Sequence, residues 1–290
     1  MPGEPAPPDA TIGTRRGLSY LWAVSPALLH FDERGAGPPL LLIHGVMITG
    51  EMFEPVLAPL AARHRVIVPD LRGHGRSREL PPPYTVAQLA DDLAALLDHL
   101  GVSSAAVLGY SQGGAVAQQF ALDHPARCER LVLACTYAFN TGSFRERIEG
   151  QLVPLFIRTL GMQRFAKLIL SQGMKRLSAE RAAWVIGLIA QQDAGLMVQA
   201  WRAAMAFDSR RRLAEIQCPT LILAGASDAA VPFYHAEQLH HGIAGSELVS
   251  VPHADHTFIW MDSAEFLRAT DAFLTPAPRG LSTASPETRV

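Results

Sequence analysis

Short apolar runs recur along the middle of the chain and alternate with segments of helical periodicity. The runs lie at 40–43, 66–68, 105–108, 131–134, 221–223 and 248–251. They show little polar alternation, which indicates strands buried on both faces, as in a parallel sheet. The pattern therefore predicts a series of β-α-β units and an α/β fold.

The clearest helical pattern lies at 86–100. Leucines recur there near 3.6-residue spacing, at positions 89, 93, 96, 97 and 100. The aspartates at positions 91, 92 and 98 are expected to face water. Upstream, 18–22 and 28–31 are predicted to form an antiparallel edge, followed by a turn at 33–39 that is rich in glycine and proline.

The strand-helix alternation stops between about 139 and 212, where amphipathic helical segments follow one another. We predict that 139–212 is a helical lid inserted into a core formed by 17–138 and 213–275. The lid carries more apolar residues than solvated helices need, and packing of the lid on the sheet accounts for most of them. Flexible tails are predicted at Pro-rich 1–16 and at 276–290.

Composition narrows the class of protein. Of 290 residues, 49% are hydrophobic, and a net charge of -2 lacks the basic excess of a nucleic-acid binder, so we expect a small-molecule partner. The three cysteines form no CxxC pair, and neither a disulfide framework nor a metal site is expected.

The amino-terminal residues lack signal-peptide features, and no uncharged run approaches membrane-spanning length, which favours a cytoplasmic protein. The oligomeric state cannot be read from the sequence.

A Gly-x-Ser-x-Gly pattern lies between the run at 105–108 and the helical segment at 115–122. It reads Gly109-Tyr110-Ser111-Gln112-Gly113 and so falls at a strand-to-helix turn. Such a turn exposes the serine hydroxyl, while the glycines let the strand and helix backbones approach closely. The pattern supports the hypothesis that Ser111 is a nucleophile. The five-residue pattern arises by chance in roughly one of ten such chains, so the hypothesis also requires suitable catalytic partners elsewhere in the sequence.

A serine nucleophile needs a histidine base and a carboxylate that orients the histidine. Asp228 follows the run at 221–223, and His256 follows the run at 248–251. The carboxyl ends of parallel strands meet at one edge of a sheet, so Ser111, Asp228 and His256 are expected to converge.

Neither partner is unique in the sequence. His253 and Asp255 lie in the same loop as His256 and are alternatives for the base and the carboxylate. Spacing favours His256, since earlier residues of the loop are still leaving the strand. Asp228 taken alone could instead cap the helix that follows it.

Two backbone amides are expected to stabilise an oxyanion. Gln112, directly after the serine, supplies one, and Val46, in the loop after 40–43, supplies the other. The backbone is the donor, so side-chain identity matters little at these positions. His44, in the same loop, is more typical of a structural hydrogen-bonding histidine than of a catalyst.

Taken together, these motifs resemble the α/β-hydrolase family with a helical cap. The resemblance runs from about 18 to 274 and rests on His44-Gly45, Asp70-Leu71-Arg72-Gly73-His74-Gly75-Arg76-Ser77, the turn at Ser111 and the loops of Asp228 and His256. It implies an eight-stranded, mostly parallel sheet with helices on both faces, a triad that needs no cofactor or metal, and a pocket between cap and sheet. In such relatives the segment 70–77 mainly braces the loop.

Differences between this sequence and some subfamilies exclude certain reactions. Relatives that open epoxides or remove halide have aspartate where this chain has Ser111, and the epoxide-opening ones add cap tyrosines, which 139–212 lacks. We therefore expect hydrolysis of a carboxylic ester with a medium-sized, mainly hydrophobic substrate. The residues predicted to line its pocket are Met47, Tyr110, Tyr137, Trp184 and Phe258. Carbon–carbon bond hydrolysis of a ring-cleavage product, lactone hydrolysis and a non-catalytic ligand receptor remain open.

Overall fold

The structure is a computed structural model that describes residues 28–173 and 176–275. Seven strands form one sheet in the described part of the chain. They are β1 (Phe31–Arg34), β2 (Pro39–Ile43), β3 (Arg65–Pro69), β4 (Ala105–Tyr110), β5 (Cys128–Ala134), β6 (Thr220–Gly225) and β7 (Glu247–Val251). The predicted tails at 1–16 and 276–290 and the predicted strand at 18–22 lie outside the described residues.

Strand order across the sheet is β1-β3-β2-β4-β5-β6-β7. β1 pairs with β3 in antiparallel orientation, and every other neighbouring pair is parallel. Leu41 lies opposite Val107, and Leu108 lies opposite Val132, so the central strands pair through apolar residues. The mostly parallel α/β sheet expected from the six apolar runs is confirmed, whereas an eighth strand stays a prediction.

The antiparallel edge strand lies later in the chain than predicted. β1 covers Phe31–Arg34 instead of 28–31, and the turn occupies 35–38. Three of the four residues of β1 are exposed. Glu33 of β1 pairs with Arg65 of β3 at 2.9 Å, so polar side chains stabilise this edge. Gly35 makes the turn at φ 79°, where a Cβ atom would lie 2.1 Å from the Ala61 carbonyl oxygen.

Nine α-helices are present in the described residues. They are α1 (Glu54–Ala61), α2 (Val86–His99), α3 (Gln112–Asp123), α4 (Phe144–Gly173), α5 (Ala179–Ala190), α6 (Ala194–Ala206), α7 (Tyr234–Gly242), α8 (Phe258–Met261) and α9 (Ser263–Leu274). The predicted helix at 86–100 corresponds to α2. Its first turn is capped by Thr85, whose hydroxyl accepts the Gln88 amide at 3.1 Å.

Helices cover both faces of the sheet. Successive β2 residues point to opposite sides, so Leu40 and Leu42 pack in one cluster while Leu41 and Ile43 pack in the other. The first cluster includes side chains of α1 and α9, and the second includes side chains of α2, α3 and α7. Each fully buried leucine contributes about 2 kcal/mol of burial energy, so the two layers fix the sheet between them.

Between β5 and β6 the described residues form α4, α5 and α6, and no strand lies among them. The ends of this segment meet at an isolated antiparallel bridge between Phe139 and Asp208, and the Ser209 amide donates to the Ala138 carbonyl at 2.9 Å. α4 is interrupted at Gly161, whose φ of 71° is not helical. Among all helices in 28–173 and 176–275, none combines the length and the hydrophobicity needed to cross a bilayer.

The expectation that Asp92 faces water is wrong. Asp92 is buried and accepts two hydrogen bonds from the Arg72 guanidinium, both at 2.6 Å. Arg72 is itself buried and also donates to the Pro81 carbonyl. The pair ties the loop after β3 to α2, and its two-pronged geometry is the favourable one for a buried arginine and carboxylate.

Replacing Asp92 with asparagine should lower the free energy of unfolding by about 3 kcal/mol or more, because the buried Arg72 charge loses its partner. Urea unfolding monitored by circular dichroism measures the loss. Asp91→Asn is the matched control, since the Asp91 side chain is 59% exposed and pairs with the surface residue His124. We expect less than about 1 kcal/mol for the control. Equal losses in the two variants would contradict a stabilising role for the buried pair.

Candidate active site

Ser111 lies at the turn between β4 and α3 in a strained backbone conformation. Its φ of 56° and ψ of -123° are unusual for a residue with a side chain. Two hydrogen bonds hold the turn, from the Ser111 amide to the Ala134 carbonyl at 2.9 Å and from the Thr136 hydroxyl to the Ser111 carbonyl at 2.6 Å. The side chain makes no capping bond to α3, which leaves its hydroxyl available.

Close backbone contacts around Ser111 require glycine. A Cβ atom on Gly109 would lie 2.2 Å from the Gly113 carbonyl oxygen, and one on Gly113 would lie 2.1 Å from the Ile43 carbonyl oxygen. Only glycine fits at such distances, which allows α3 to start directly against β2 and β4.

Three side chains predicted from the sequence meet in a row. The His256 Nε2 atom lies 3.2 Å from the Ser111 Oγ atom, and the His256 Nδ1 atom lies 2.7 Å from Asp228 Oδ2. Asp228 Oδ1 accepts the amides of Ala230 and Val231, each at 2.8 Å, which fixes the carboxylate. Asp228 does not cap the following helix, because α7 begins only at Tyr234.

The environment of His256 favours its charged form. Burial alone would keep the ring neutral, but the charge of Asp228 and its hydrogen bond, with a smaller contribution from Asp255, raise the pKa of His256 above its usual value. Ser111 Oγ and Asp228 thus lie on opposite sides of an imidazole that readily takes a proton.

The alternative residues of the same loop have other partners. His253 is exposed and lies 3.3 Å from the Asp262 carboxylate. Asp255 Oδ1 accepts the Thr257 amide at 2.8 Å and the Thr257 hydroxyl. Neither His253 nor Asp255 takes the place of His256 or Asp228 in the row.

Tyr110 contacts the histidine loop from the core. Its hydroxyl donates to the His256 carbonyl at 3.0 Å, and the two rings meet edge to face with centroids 5.6 Å apart. The Tyr110 ring also lies near Phe266 of α9. Tyr110 therefore helps to hold the backbone and ring of His256 in place, and its predicted place in the pocket wall stays a prediction.

Two histidines hold the loop after β2, which contains Val46. His44 donates from Nδ1 to the Gly45 carbonyl at 2.7 Å and accepts the Leu71 amide on Nε2 at 2.9 Å. His74 accepts the Met47 amide on Nε2 at 3.3 Å. The prediction of a hydrogen-bonding rather than a catalytic role for His44 fits these contacts.

Asp70 completes the connection between the loops after β2 and β3. Its carboxylate accepts the Gly50 amide at 3.1 Å, the Arg76 amide at 3.0 Å and the Arg76 Nε at 3.2 Å. The bracing role that the resemblance implies for 70–77 is visible in these bonds. The loop after β2 also approaches the serine, since a Cβ atom on Gly45 would lie 3.3 Å from Ser111 Cβ.

His74 accepts hydrogen bonds only when its ring is neutral. Burial, helped by the neighbouring His44, lowers the pKa of His74 to about 3. An unfolded chain binds a proton there near pH 6.5, so this neutral ring stabilises the fold fully above about pH 6.5 and less as the pH falls toward about 3.

Gln112 connects the serine turn to α6. Its side-chain Nε2 donates to the Ala200 carbonyl at 3.1 Å, and its Oε1 is buried without a partner among the described residues. The amide of Gln112 is the first of α3 and lies next to Ser111. The side-chain contact with Ala200 joins residues 88 positions apart, so it has no signal in the local sequence.

The remaining predicted pocket residues do not form one group. Met47, Phe258 and the half-buried Trp184 pack in the core cluster on the same face as Tyr110. Tyr137 packs in the cluster on the other face, with its ring centroid 6.0 Å from that of His235. The structure therefore separates Tyr137 from the other four residues.

Further contacts tie α4–α6 to the sheet domain near Ser111. Gln192 Oε1 accepts the Gly75 amide at 2.9 Å, and the ring of Trp184 meets Trp260 edge to face at 6.2 Å. Arg176 makes a two-pronged ion pair with Asp262, with the longer bond at 2.9 Å. None of these contacts was predicted, because each joins residues far apart in sequence.

A buried polar cluster joins α4 to α7. Glu146 accepts hydrogen bonds from the Tyr234 hydroxyl and from His235 Nε2, the latter at 3.0 Å, and also from the Ser143 amide at 2.9 Å. Burial lowers the pKa of His235 and keeps its ring neutral despite Glu146. The Ser-x-x-Glu pattern at 143–146 is a capping box visible in sequence, but its long-range partners are not.

Two groups of side chains have the composition of metal ligands. Cys135 lies with Asp228 and His256, and His253 lies with Asp262 and Glu265. Burial raises the pKa of Cys135, so its thiol stays protonated, and Asp228 and His256 bind each other. Asp262 is occupied by Arg176. His253 pairs with Asp262, and Glu265 lies 3.5 Å from Arg268, so in both groups the side chains already have protein partners.

Comparisons with known proteins agree with this architecture. A family described as the alpha/beta hydrolase fold matches residues 38–262. A candidate carbamate hydrolase, RutD from Caulobacter vibrioides, is 31% identical over 275 residues, which cover 92% of this chain and 98% of that protein. AB hydrolase superfamily protein YisY from Bacillus subtilis is 30% identical over 82% of this chain and 91% of its own length.

Solved structures show the same likeness. The enol-lactonase from Burkholderia xenovorans LB400 superposes with a TM-score of 0.79 at 28% identity, covering 86% of this chain and 96% of that chain. A thermophilic esterase from Thermogutta terrifontis superposes with a TM-score of 0.77 at 30% identity, covering 85% of this chain and 92% of that chain. The chain belongs to the α/β-hydrolase family, and family and neighbours together support a hydrolytic enzyme.

Glu146→Gln should lower the free energy of unfolding by about 2 kcal/mol, because a buried carboxylate that accepts several hydrogen bonds is replaced by an amide that cannot accept all of them. Urea unfolding near neutral pH measures the change. Glu149→Gln on the same helix is the control, since Glu149 is 42% exposed and pairs only with Arg145. We expect a change within about 0.5 kcal/mol for the control. A Glu146 variant as stable as the control would contradict the role of the cluster.

Proposed function

We propose that this protein is a serine hydrolase that cleaves a carboxylic ester through a covalent acyl-enzyme. The observation that carries the proposal is the hydrogen-bonded row of Ser111, His256 and Asp228 at the carboxyl edge of the sheet. Distances of 3.2 and 2.7 Å within the row suit proton transfer and ring orientation, respectively.

In the first half of the reaction, Ser111 Oγ attacks the acyl carbon and its proton passes to His256 Nε2. Asp228 stabilises the resulting imidazolium through Nδ1. The carbonyl oxygen gains negative charge, which the amides of Val46 and Gln112 are assigned to bind. Support for this assignment comes from Gln112 as the first residue of α3 and from the loop after β2, which reaches Ser111 at Gly45.

In the second half, the tetrahedral intermediate collapses and His256 gives its proton to the leaving alcohol. A water molecule then attacks the acyl-enzyme while His256 takes one of its protons. Collapse of the second intermediate returns the proton to Ser111 and releases the carboxylic acid. No cofactor is needed in these steps.

We assign α4–α6 as a lid over this site. The Gln112 side chain contacts α6 at Ala200, and Gln192 contacts Gly75 in the loop that braces Val46. Side chains such as Met197, Trp184 and Val185 belong to the same apolar cluster as Met47 and Phe258. A substrate bound there would meet mainly apolar surface, which favours a medium-sized hydrophobic acyl or alcohol group.

A lactone is the second candidate substrate. The Burkholderia enol-lactonase has a TM-score of 0.79 with this chain, and ring opening of a lactone is the same acyl transfer with the leaving alcohol still attached. A panel of p-nitrophenyl esters of increasing chain length, simple lactones and a p-nitrophenyl carbamate separates the possibilities. The substrate with the highest kcat/KM identifies the class, and the carbamate tests the chemistry named in the RutD relatives.

Ser111→Ala should reduce turnover of the best ester by several orders of magnitude and leave the fold intact, because the Ser111 side chain makes no capping bond. A fluorophosphonate probe should label the parent protein at Ser111 and should not label the variant.

Ser227→Ala is the control, since the Ser227 hydroxyl is exposed and donates only to the Pro252 carbonyl. The control should keep its activity and its labelling. Near-parent activity in Ser111→Ala would end the proposal, and absence of both labelling and hydrolysis in the parent protein would favour a ligand receptor.

The pH dependence tests the role of Asp228. His256 must be neutral to accept the serine proton, so kcat/KM should rise with pH and level off above the pKa of His256, which Asp228 helps to raise. Asp228→Asn removes that charge, so the acid limb should move to lower pH while the plateau falls by about ten-thousand-fold.

Asp255→Asn is the matched control for the other carboxylate of the loop. Asp255 binds Thr257 and contributes less than Asp228 to the pKa of His256. In the Asp255→Asn variant, the acid limb of the kcat/KM profile should therefore move less, and the plateau of kcat/KM should stay far above that of Asp228→Asn. A larger loss in Asp255→Asn than in Asp228→Asn would assign the orienting role to Asp255.

A further inference from the structure

Two thiols lie together at the edge of the sheet opposite Ser111. Cys128 is the first residue of β5, and Cys218 lies two residues before β6, so both are at the amino ends of neighbouring parallel strands. Ser111 follows the carboxyl end of β4. The thiol pair is therefore separate from the hydrolytic site.

The geometry of the pair is close to that of a disulfide. The two Sγ atoms are 3.7 Å apart, and both cysteines are free. A disulfide has a sulfur–sulfur length of about 2.05 Å, so the atoms need to approach by about 1.7 Å. Side-chain rotation and a small backbone adjustment at the strand ends can supply such a movement.

A cavity gives small molecules access to the thiols. It has a volume of about 350 Å³ and is lined by Ala121, Pro125, Ala126, Cys128, Glu129, Gln217 and Cys218. Glu129 and Gln217 are exposed, and Cys218 is only partly buried, whereas Cys128 is buried. Cys218 is the sulfur that a reagent in the cavity meets first.

The two thiols also differ in their readiness to ionise. The hydrogen-bonding contact between the two sulfurs lowers the pKa of Cys218, while the same contact and burial raise the pKa of Cys128. Thiolate is the reactive form of cysteine, so Cys218 is the better nucleophile of the two.

We propose that Cys128 and Cys218 form a redox site that a small hydroperoxide converts to an intramolecular disulfide. The Cys218 thiolate attacks the outer peroxide oxygen, the oxygen–oxygen bond breaks, and an alcohol or water leaves, giving a sulfenic acid on Cys218. The Cys128 sulfur then attacks the Cys218 sulfur, the sulfur–sulfur bond forms, and the sulfenic oxygen departs as water. Two thiols and one hydroperoxide thus become one disulfide, one alcohol or water, and one further water.

The bond would close a loop that contains the whole helical segment between β5 and β6. α4–α6 leave the sheet after β5 and return before β6, so the disulfide joins the two strands that carry this segment. Cross-linking a long loop restricts the unfolded chain, and the urea midpoint of unfolding should therefore rise on oxidation.

The test treats the full-length protein, first reduced and then freed of reductant, with one equivalent of hydrogen peroxide. Titration of thiols under denaturing conditions should fall from three per chain to one, leaving Cys135. Peptide mapping without reductant should find Cys128 joined to Cys218 within a single chain. Ester hydrolysis should be unchanged, because the pair lies at the opposite edge from Ser111.

Single substitutions separate the two sulfurs. Cys128→Ser should retain a sulfenic acid on Cys218 that dimedone traps, whereas Cys218→Ser should lose no thiol under the same treatment. Three remaining thiols in the parent protein, loss of Cys135 instead, or a disulfide between chains would each overturn the proposal. A urea midpoint that does not rise with the bond formed would overturn the stabilising effect.

Discussion

Close approach of three backbone segments at the serine turn is the constraint on which the site depends. β4 ends, the chain reverses at Ser111 with φ 56°, and α3 begins against β2, where Gly113 has no room for a side chain. Two further hydrogen bonds hold this strained turn, one to the Ala134 carbonyl at the end of β5 and one from the Thr136 hydroxyl just after β5. The hydroxyl position is therefore a property of the sheet and not of a flexible loop.

A second layer of contacts positions the groups around the serine. His44, His74 and Asp70 hold the loop after β2, Tyr110 holds the carbonyl of His256, and the Asp228 loop binds its own carboxylate. Most of these bonds go to backbone atoms, so they fix where the chain lies. An arrangement of this kind is the preorganisation that acyl-transfer chemistry requires.

Features that leave a local pattern in the sequence could be predicted, namely the buried strands and the loops that follow them. Buried parallel strands appear as continuous apolar runs, and the serine, aspartate and histidine loops follow those runs directly. β1 was misplaced because an exposed edge strand carries polar residues such as Glu33, which weaken the apolar signal. Asp92 was misassigned because its partner Arg72 lies twenty positions away, and no local pattern reports such a pair. Glu146 and His235 are 89 positions apart, so no local pattern reports their contact either.

The single bridge between Phe139 and Asp208 gives the helical segment one point of departure and return. Its two ends lie side by side, so a change in the length of the segment need not move β5 and β6 apart, although its contacts with the rest of the domain would have to be formed again. An exchange of this segment between related proteins would therefore be made at one junction, and the loops that carry Ser111, Asp228 and His256 lie outside the exchanged piece.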